Sequence, residues 1–230
     1  MKAVLLAAGA GSRLRPMTDT IPKCLAPIQG KPLLGIWLEL LRKAGVRQVL
    51  INVHAWPDAV REFLQSRSFD IDVTLVQEGH LLGSAGTLAA NREWLEAEES
   101  FWVLYADVLT NLRLEGMLQF HELHRSTATL GVYRVQDPES CGILVTDCEG
   151  RVEQFIEKPA DPLSDLAFAG ILVGTPALLK AIPAKLPADL GFDVFPRLAG
   201  QIYAYPIDGY LLDIGTLENY HRAQTTWRGL

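Results

Sequence analysis

Residues 1–19 read MKAVLLAAGAGSRLRPMTD, an apolar run that stops at glycines and then at arginines, with PKCLAP close behind at 22–27. The run 3–8 (AVLLAA) is apolar throughout, which suits a strand of a parallel sheet covered on both faces better than an amphipathic edge. In an α/β sheet ligands settle beyond the carboxyl ends of the strands, and the loop 8–15 lies at such an end. Gly9 and Gly11 permit backbone angles and close approaches that a side chain forbids, so their amides can face phosphate oxygens while Arg13, Arg15 and Lys23 offset the charge. On the residues alone, a tight turn with solvated arginines remains an equal reading.

Working outward, 32–44 places Leu33, Leu34, Trp37, Leu40 and Leu41 at helical spacing, with proline at its start and Gly45 at its end. VRQVLINV follows as a strand, 57–66 as a helix, IDVTLV as a strand and 84–94 as a helix for which Ser84 is a candidate cap. FWVLYAD (101–107) reads as a buried strand ending in an acid, 112–125 as a helix and ATLGVYRV as a strand. This alternation predicts a three-layer α/β/α sandwich with a Rossmann-like, largely parallel mixed sheet. After residue 135 the texture changes: GILVTD and RVEQFIEKP read as a hairpin, FAGILVGT as a strand, and TLENYHRAQTTW as a closing helix capped by Thr216. No repeat or low-complexity linker interrupts 1–230, so one domain is expected.

Composition narrows the function classes. Lys plus Arg total 21 against 27 Asp plus Glu, a formal charge of −6, which argues against a polyanion groove and so against nucleic acid, while leaving room for a small phosphorylated substrate. Cys24, Cys141 and Cys148 form no CxxC pair, which disfavours a structural zinc or a disulfide framework and favours a reducing compartment. No stretch holds the roughly 18 apolar residues needed to span a bilayer, and the start lacks a signal-peptide layout. The expectation is a cytoplasmic protein without a membrane partner.

Two nucleotide motifs fail at the glycine loop. A dinucleotide fingerprint needs a third glycine where Leu14 stands and a helix where Pro16 falls, and a Walker loop needs GKS or GKT after the glycines. The stretch instead resembles the opening of the sugar-phosphate nucleotidyltransferases, roughly GxGxRLxPxT and then PKP, here 9–18 (GAGSRLRPMT) and 22–24 (PKC). The resemblance implies that Ala8, Gly9, Gly11, Ser12, Arg13 and Lys23 bind a nucleoside triphosphate, with Cys24 in place of the usual proline and not acting as a thiol nucleophile.

Three further blocks follow in the family's order. EGHLLGSAGTLAA (78–90) is similar to a segment lining base and ribose, implying nucleotide contacts from Glu78, Gly83, Ser84, Ala85 and Gly86. Glu78 could accept from the N1 and N2 donors of guanine; thymidylyltransferases usually carry glutamine there, although some uridylyltransferases share the glutamate. YAD (105–107) is similar to a strand ending in a magnesium-binding aspartate. Its partner lies in a late motif similar to LLDIGT (211–216), so Asp107 and Asp213 are the implied ligands of Mg²⁺, which keeps positions for water and phosphate oxygens. On position alone, Asp107 or Asn111 would instead cap the following helix. FIEKP (155–159) is similar to a sugar-phosphate block that implies hydroxyl contacts from Glu157 and a phosphate contact from Lys158; Asp107, Gly142 and Gly170 complete that set, with Ala169 where the family often has asparagine.

The implied reaction is NTP plus sugar 1-phosphate giving NDP-sugar plus pyrophosphate, with Arg13, Lys23, Asp107, Lys158 and Asp213 as its catalytic groups. GTP and a heptose or mannose 1-phosphate are the expected substrates; the finish after one helix resembles short heptose 1-phosphate guanylyltransferases. A uridylyltransferase for N-acetylmuramate or another hexose 1-phosphate is the alternative, and a non-catalytic sugar-nucleotide-binding subunit is a third. The nucleotide part is expected at about 1–135 and the sugar-phosphate part at about 136–230. An exposed Trp or Leu on the closing helix would support a homodimer.

Overall fold

The N-terminal apolar run forms the strand Lys2–Leu6, with Ala3, Val4 and Leu5 fully buried. It ends two residues before the apolar run does, because the Ala7 N–H donates to the side chain of Asn52 instead of continuing a ladder. The strand pairs in parallel with Gln48–Val53, which pairs in parallel with Asp72–Gln77. Parallel neighbours cannot be joined by a tight turn, and the helices Leu33–Lys43 and Pro57–Gln65 lie in the crossovers. In Leu33–Lys43 the residues Leu33, Leu34, Trp37, Leu38 and Leu41 are buried. Arg42 and Lys43 stay exposed in its last turn, where cations suit the negative end of the helix dipole.

The computed structural model describes residues 1–230, and they group into two compact units. The first comprises Met1–Leu81, Leu104–Leu112 and Gly209–Leu230; the second, Leu82–Val103 and Arg113–Asp208. Besides its parallel strands, the first unit holds an antiparallel pair, Val108–Thr110 with Leu211–Asp213, and the helix Leu217–Thr226. Thr216 caps that helix as expected, its hydroxyl accepting from the Asn219 amide at 3.2 Å. Trp227 beyond it is buried, edge-on to Tyr210 with ring centroids 5.1 Å apart. Of the apolar residues that close the chain, Trp227 is thus buried while Leu230 is exposed.

In the second unit pairing is mostly antiparallel. Gly142–Thr146 and Val152–Glu157 form the expected hairpin, Leu166–Gly174 pairs antiparallel with Ala128–Arg134, and Ile202–Pro206 pairs parallel with Ala128–Arg134. Gly170, at φ +72°, lies where the register of Leu166–Gly174 shifts, a bulge that only glycine enters without strain. The helix expected over 84–94 is two, Ser84–Ala90 and Arg92–Glu96. They part at Asn91, whose side chain donates to the Thr87 carbonyl, the competition that makes Asn a poor interior helix residue. Ser84 does not cap: Gly83 holds that place, and the Ser84 hydroxyl is used elsewhere. No helix is long and apolar enough to cross a membrane.

Candidate active site

The glycine loop in the first unit is anchored at Leu14, which is fully buried, while Gly9, Ser12 and Arg13 are exposed and Ala8 is buried. Its two glycines are needed for different reasons. Gly11 sits at φ +65°, and a Cβ there would lie 2.9 Å from Thr18 Cγ2; the Thr18 hydroxyl donates to the Gly11 carbonyl at 2.8 Å. Gly11 is thus demanded by the turn itself. A Cβ on Gly9 would meet nothing within 4 Å, so packing does not explain this glycine, whereas a ligand lying against the backbone would.

Lys23 reaches two carboxylates. Its Nζ is 2.5 Å from Asp107 Oδ2 and 4.0 Å from Asp213 Oδ1. The cause is backbone pairing: Asp213 stands opposite Val108 in the antiparallel pair, and the Ile214 amide donates to the Asp107 carbonyl at 3.0 Å. Asp213 is held in place by the Gly215 amide, 2.6 Å from Oδ1, and by Asn219 Nδ2 on its carbonyl at 2.8 Å. A Cβ on Gly215 would lie 2.8 Å from Asp213 Oδ1, 2.9 Å from Lys23 Nζ and 3.0 Å from Arg13 Nη2. Acid, lysine and arginine therefore crowd one glycine.

Burial raises the Asp213 pKa, the neighbouring Asp107 raises it further, and Lys23, the Gly215 amide and Arg13 oppose both. Both acids thus lie within ion-pair distance of one ammonium group. Two carboxylates without soft ligands suit Mg²⁺, which binds through one or two carboxylates plus phosphates and water. Neither Asp107 nor Asn111 caps the helix Leu114–His124, which has Arg113 at its N-cap and no side-chain cap; Asn111 Oδ1 accepts from the Tyr210 amide. Cys24 is buried and its thiol is pushed up to about 12 by that burial, so it is protonated and inert.

Glu78 is turned inward. It is 5% exposed, and its Oε1 accepts from Asn52 Nδ2 at 2.8 Å. The small residues after it, in the second unit, are similarly occupied: a Cβ on Gly83 would fall 2.2 Å from the Ala188 carbonyl oxygen, and the amides of Ala85 and Gly86 donate to that oxygen at 3.0 and 3.1 Å. Ser84 donates to Asp189 Oδ2 and accepts from the Leu190 amide, both at 2.8 Å. Gly83 and Gly86 are thus accounted for by close packing against Ala188 and its neighbours, whereas a Cβ on Gly79 would meet nothing within 4 Å.

The second unit assembles its own acid site. A Cβ on Gly142 would lie 2.6 Å from Glu157 Oε2, and one on Gly191 only 2.3 Å from it, so the carboxylate rests between two bare backbones. Asp189 stands beside it and caps the single π-turn Leu190–Val194, accepting from the amides of Gly191 and Phe192. Burial raises the Glu157 pKa and Asp189 raises it further, against a lowering by Lys158. Lys158 is exposed and sits at φ +51°, a left-handed conformation uncommon for a residue with a Cβ and often kept for function. The structure places Gly142, Glu157 and Lys158 together, while Gly170 sits at its bulge. Asp189 and Asn52 were not anticipated. Each had a signal: an acid before the turn residues LG, and a lone amide inside the apolar run VLINV.

Comparison with known proteins bears on this arrangement as a whole. The model of the family described as Nucleotidyl transferase matches residues 2–228. The chain is 36% identical over 226 residues to a mannose-1-phosphate guanylyltransferase catalytic subunit beta of Danio rerio, covering 96% of this chain and 62% of the relative. It is 35% identical over 227 residues to mannose-1-phosphate guanylyltransferase 1 of Arabidopsis thaliana, covering 96% and 63%. The chain thus spans less than two thirds of the length of these relatives. Among solved structures, UDP-glucose pyrophosphorylase complexed with UDP-glucose superposes with a TM-score of 0.85 at 23% identity, covering 97% of this chain and 96% of the other. HddC from Yersinia pseudotuberculosis complexed with GMP-PN gives 0.82 at 23% identity, covering 99% of each chain. The expected fold, a mixed and mostly parallel sheet between helices, is the one shared with these structures.

Proposed function

The chain belongs to the nucleotidyl transferase family, and within it we propose that the protein joins GTP to mannose 1-phosphate, giving GDP-mannose and pyrophosphate. The observation that carries this reading is the pair Asp107 and Asp213 sharing the Lys23 ammonium next to a glycine loop whose Gly9 faces open space. The named activity of the relatives from Danio rerio and Arabidopsis thaliana supports the choice of base and sugar.

In the reaction an oxygen of the sugar phosphate attacks the α-phosphorus, a new P–O bond forms, and the bond to the β-phosphate oxygen breaks with its electrons leaving on pyrophosphate. The attacking monoester is already largely ionised near neutrality, so no general base is required. The difficulty lies in bringing two anions together and in stabilising the leaving pyrophosphate. Arg13 and Lys23 would hold the triphosphate, with the loop backbone at Gly9 lying against it. Glu157, between Gly142 and Gly191, would accept from sugar hydroxyls, and Lys158 would hold the phosphate of the sugar. Asp107 and Asp213 would hold Mg²⁺, which when bound offsets phosphate charge and orients the oxygens around it. Three free cysteines favour a reducing, cytoplasmic setting for this chemistry.

The test is pyrophosphate release by the purified protein with each of GTP, UTP, CTP, dTTP and ATP against mannose, heptose and N-acetylmuramate 1-phosphates, with Mg²⁺ present. Release with GTP and mannose 1-phosphate above all other pairs is expected. Turnover with UTP alone would replace the guanine assignment, and silence with every pair would favour a binding subunit.

A further inference from the structure

The π-turn Leu190–Val194 is tied down by a set of bonds centred on Asp189. Asp189 Oδ1 accepts from the amides of Gly191 and Phe192 at 2.8 and 3.4 Å, and Oδ2 accepts from the Ser84 hydroxyl at 2.8 Å. The Leu190 amide donates to Ser84 Oγ at 2.8 Å, and the Asp189 amide donates to Asp193 Oδ2 at 2.7 Å. Such turns are rare and are found mostly where function requires the backbone to bend. Here the bend carries Gly191 against Glu157, where a Cβ would fall 2.3 Å from Oε2 and 2.9 Å from Cδ. Gly191 does not occupy the left-handed region, so the carboxylate and not the turn explains its missing side chain. Gly142 closes the other side, its Cβ position 2.6 Å from the same oxygen. Attraction does not account for this closeness, because the neighbouring Asp189 repels the Glu157 charge.

We propose that Asp189 and Gly191 are positioning residues for Glu157. Asp189 acts at one remove: by capping the turn it sets where the bare backbone of Gly191 stands, and that backbone confines the carboxylate from one side as Gly142 does from the other. Glu157 is thereby presented to the sugar hydroxyls in one orientation. Ser84 keeps Asp189 in the geometry the turn needs, so a residue of the block 78–90 supports the sugar acid. The inference rests on the proposed reading that Glu157 meets the sugar.

A double-mutant cycle tests it. Gly191→Ala drives a methyl group into the carboxylate and should raise KM for mannose 1-phosphate about fivefold, with KM for GTP and kcat changed by no more than about twofold. Asp189→Ala, which uncaps the turn, should raise the same KM about fivefold. Asp189→Asn keeps an oxygen for the two amides and should stay within about twofold of the unaltered protein. In a Glu157→Ala background, Gly191→Ala and Asp189→Ala should each add less than about twofold, because the group they position is gone. Full effects in both backgrounds would overturn the proposal, as would Gly191→Ala with an unchanged KM for mannose 1-phosphate. Should Asp189→Ala not fold, the Gly191→Ala cycle decides alone. If Glu157→Ala itself leaves that KM unchanged, the reading of the sugar site fails, and positioning is then judged on the crystal structure of Gly191→Ala. The Glu157 carboxylate must there be displaced by about 1 Å to restore van der Waals separation, and an unmoved carboxylate overturns the inference.

Discussion

Each unit brings an acidic residue of the site against another acid, but the two pairs are kept by different surroundings. In the first unit Asp107 and Asp213 are separated by a cation, with Lys23 Nζ at 2.5 and 4.0 Å and Arg13 nearby. In the second, Glu157 and Asp189 meet mainly neutral groups, bare glycine backbones, two turn amides and the Ser84 hydroxyl, and the cation beside Glu157 is the exposed Lys158. A cation between acids prepares a place for phosphates and a divalent ion, because the positive charge can move to the ligand and leave the carboxylates to the metal. A carboxylate among neutral donors and desolvated by its surroundings prepares a hydrogen-bond acceptor for uncharged hydroxyls. On the proposed function, this difference suits the first unit to the triphosphate and the second to the sugar.

The largest effect expected from breaking this contrast is in the first unit. Asp107→Asn and Asp213→Asn should each lower kcat by about a thousandfold or more, the scale of removing a principal electrostatic group from a phosphoryl-transfer site. Melting temperature should stay close to that of the unaltered protein. Near-normal turnover by both variants would dismiss their metal role. Next comes Lys158, where glycine should act in two directions. Lys158→Gly relieves a left-handed backbone at φ +51° and should raise stability by about 1 kcal/mol. It should also lower kcat/KM for the sugar 1-phosphate by about a hundredfold through loss of a charge-assisted contact. A variant that gains stability and keeps its kinetics would place the phosphate contact elsewhere.

Within the first unit the two loop glycines sharpen the assignment. Gly9→Ala should leave the melting temperature unchanged and raise KM for GTP by about tenfold, since only a ligand would meet the new methyl group. Gly11→Ala, forced into φ +65° against Thr18, should destabilise the protein by about 1–2 kcal/mol. Thermal melts paired with GTP kinetics separate the two. The smallest effect belongs to Glu157. Because its folded pKa is raised above the ordinary 4.5, the folded state keeps that proton to higher pH than the unfolded chain. The penalty on stability is therefore full above the folded pKa and fades as pH falls through it, disappearing below the ordinary value. Glu157→Gln should thus raise the melting temperature slightly at neutral pH and not at all near pH 3, while raising KM for mannose 1-phosphate by up to about tenfold.

Much of this was legible before any coordinates. Leu33, Leu34, Trp37 and Leu41 mark a helix because a 3.6-residue period leaves few other ways to bury them, and the hairpin ending at Glu157 showed in its acidic turn. The meeting of Asp107 with Asp213 was accessible only through family resemblance. It depends on the register of two short strands far apart in the chain, and no local pattern encodes that register. The surroundings of Glu78 were hidden for a related reason. An acid just past a strand end looks as if it faces a ligand, and only the pairing of Gln48–Val53 beside Asp72–Gln77 brings Asn52 close enough to turn it inward. Gly83 and Gly170 look alike as sequence, yet one is required by the Ala188 carbonyl and the other by a bulge.

The claim on which the account turns is that two distant aspartates share one divalent ion beside the nucleotide loop. Calorimetric titration of Mn²⁺ into the protein saturated with GDP-mannose measures it directly. One ion per chain is predicted for the unaltered protein, with affinity lowered at least about tenfold in Asp107→Asn and again in Asp213→Asn. Equal affinity in the unaltered protein and both variants would contradict it.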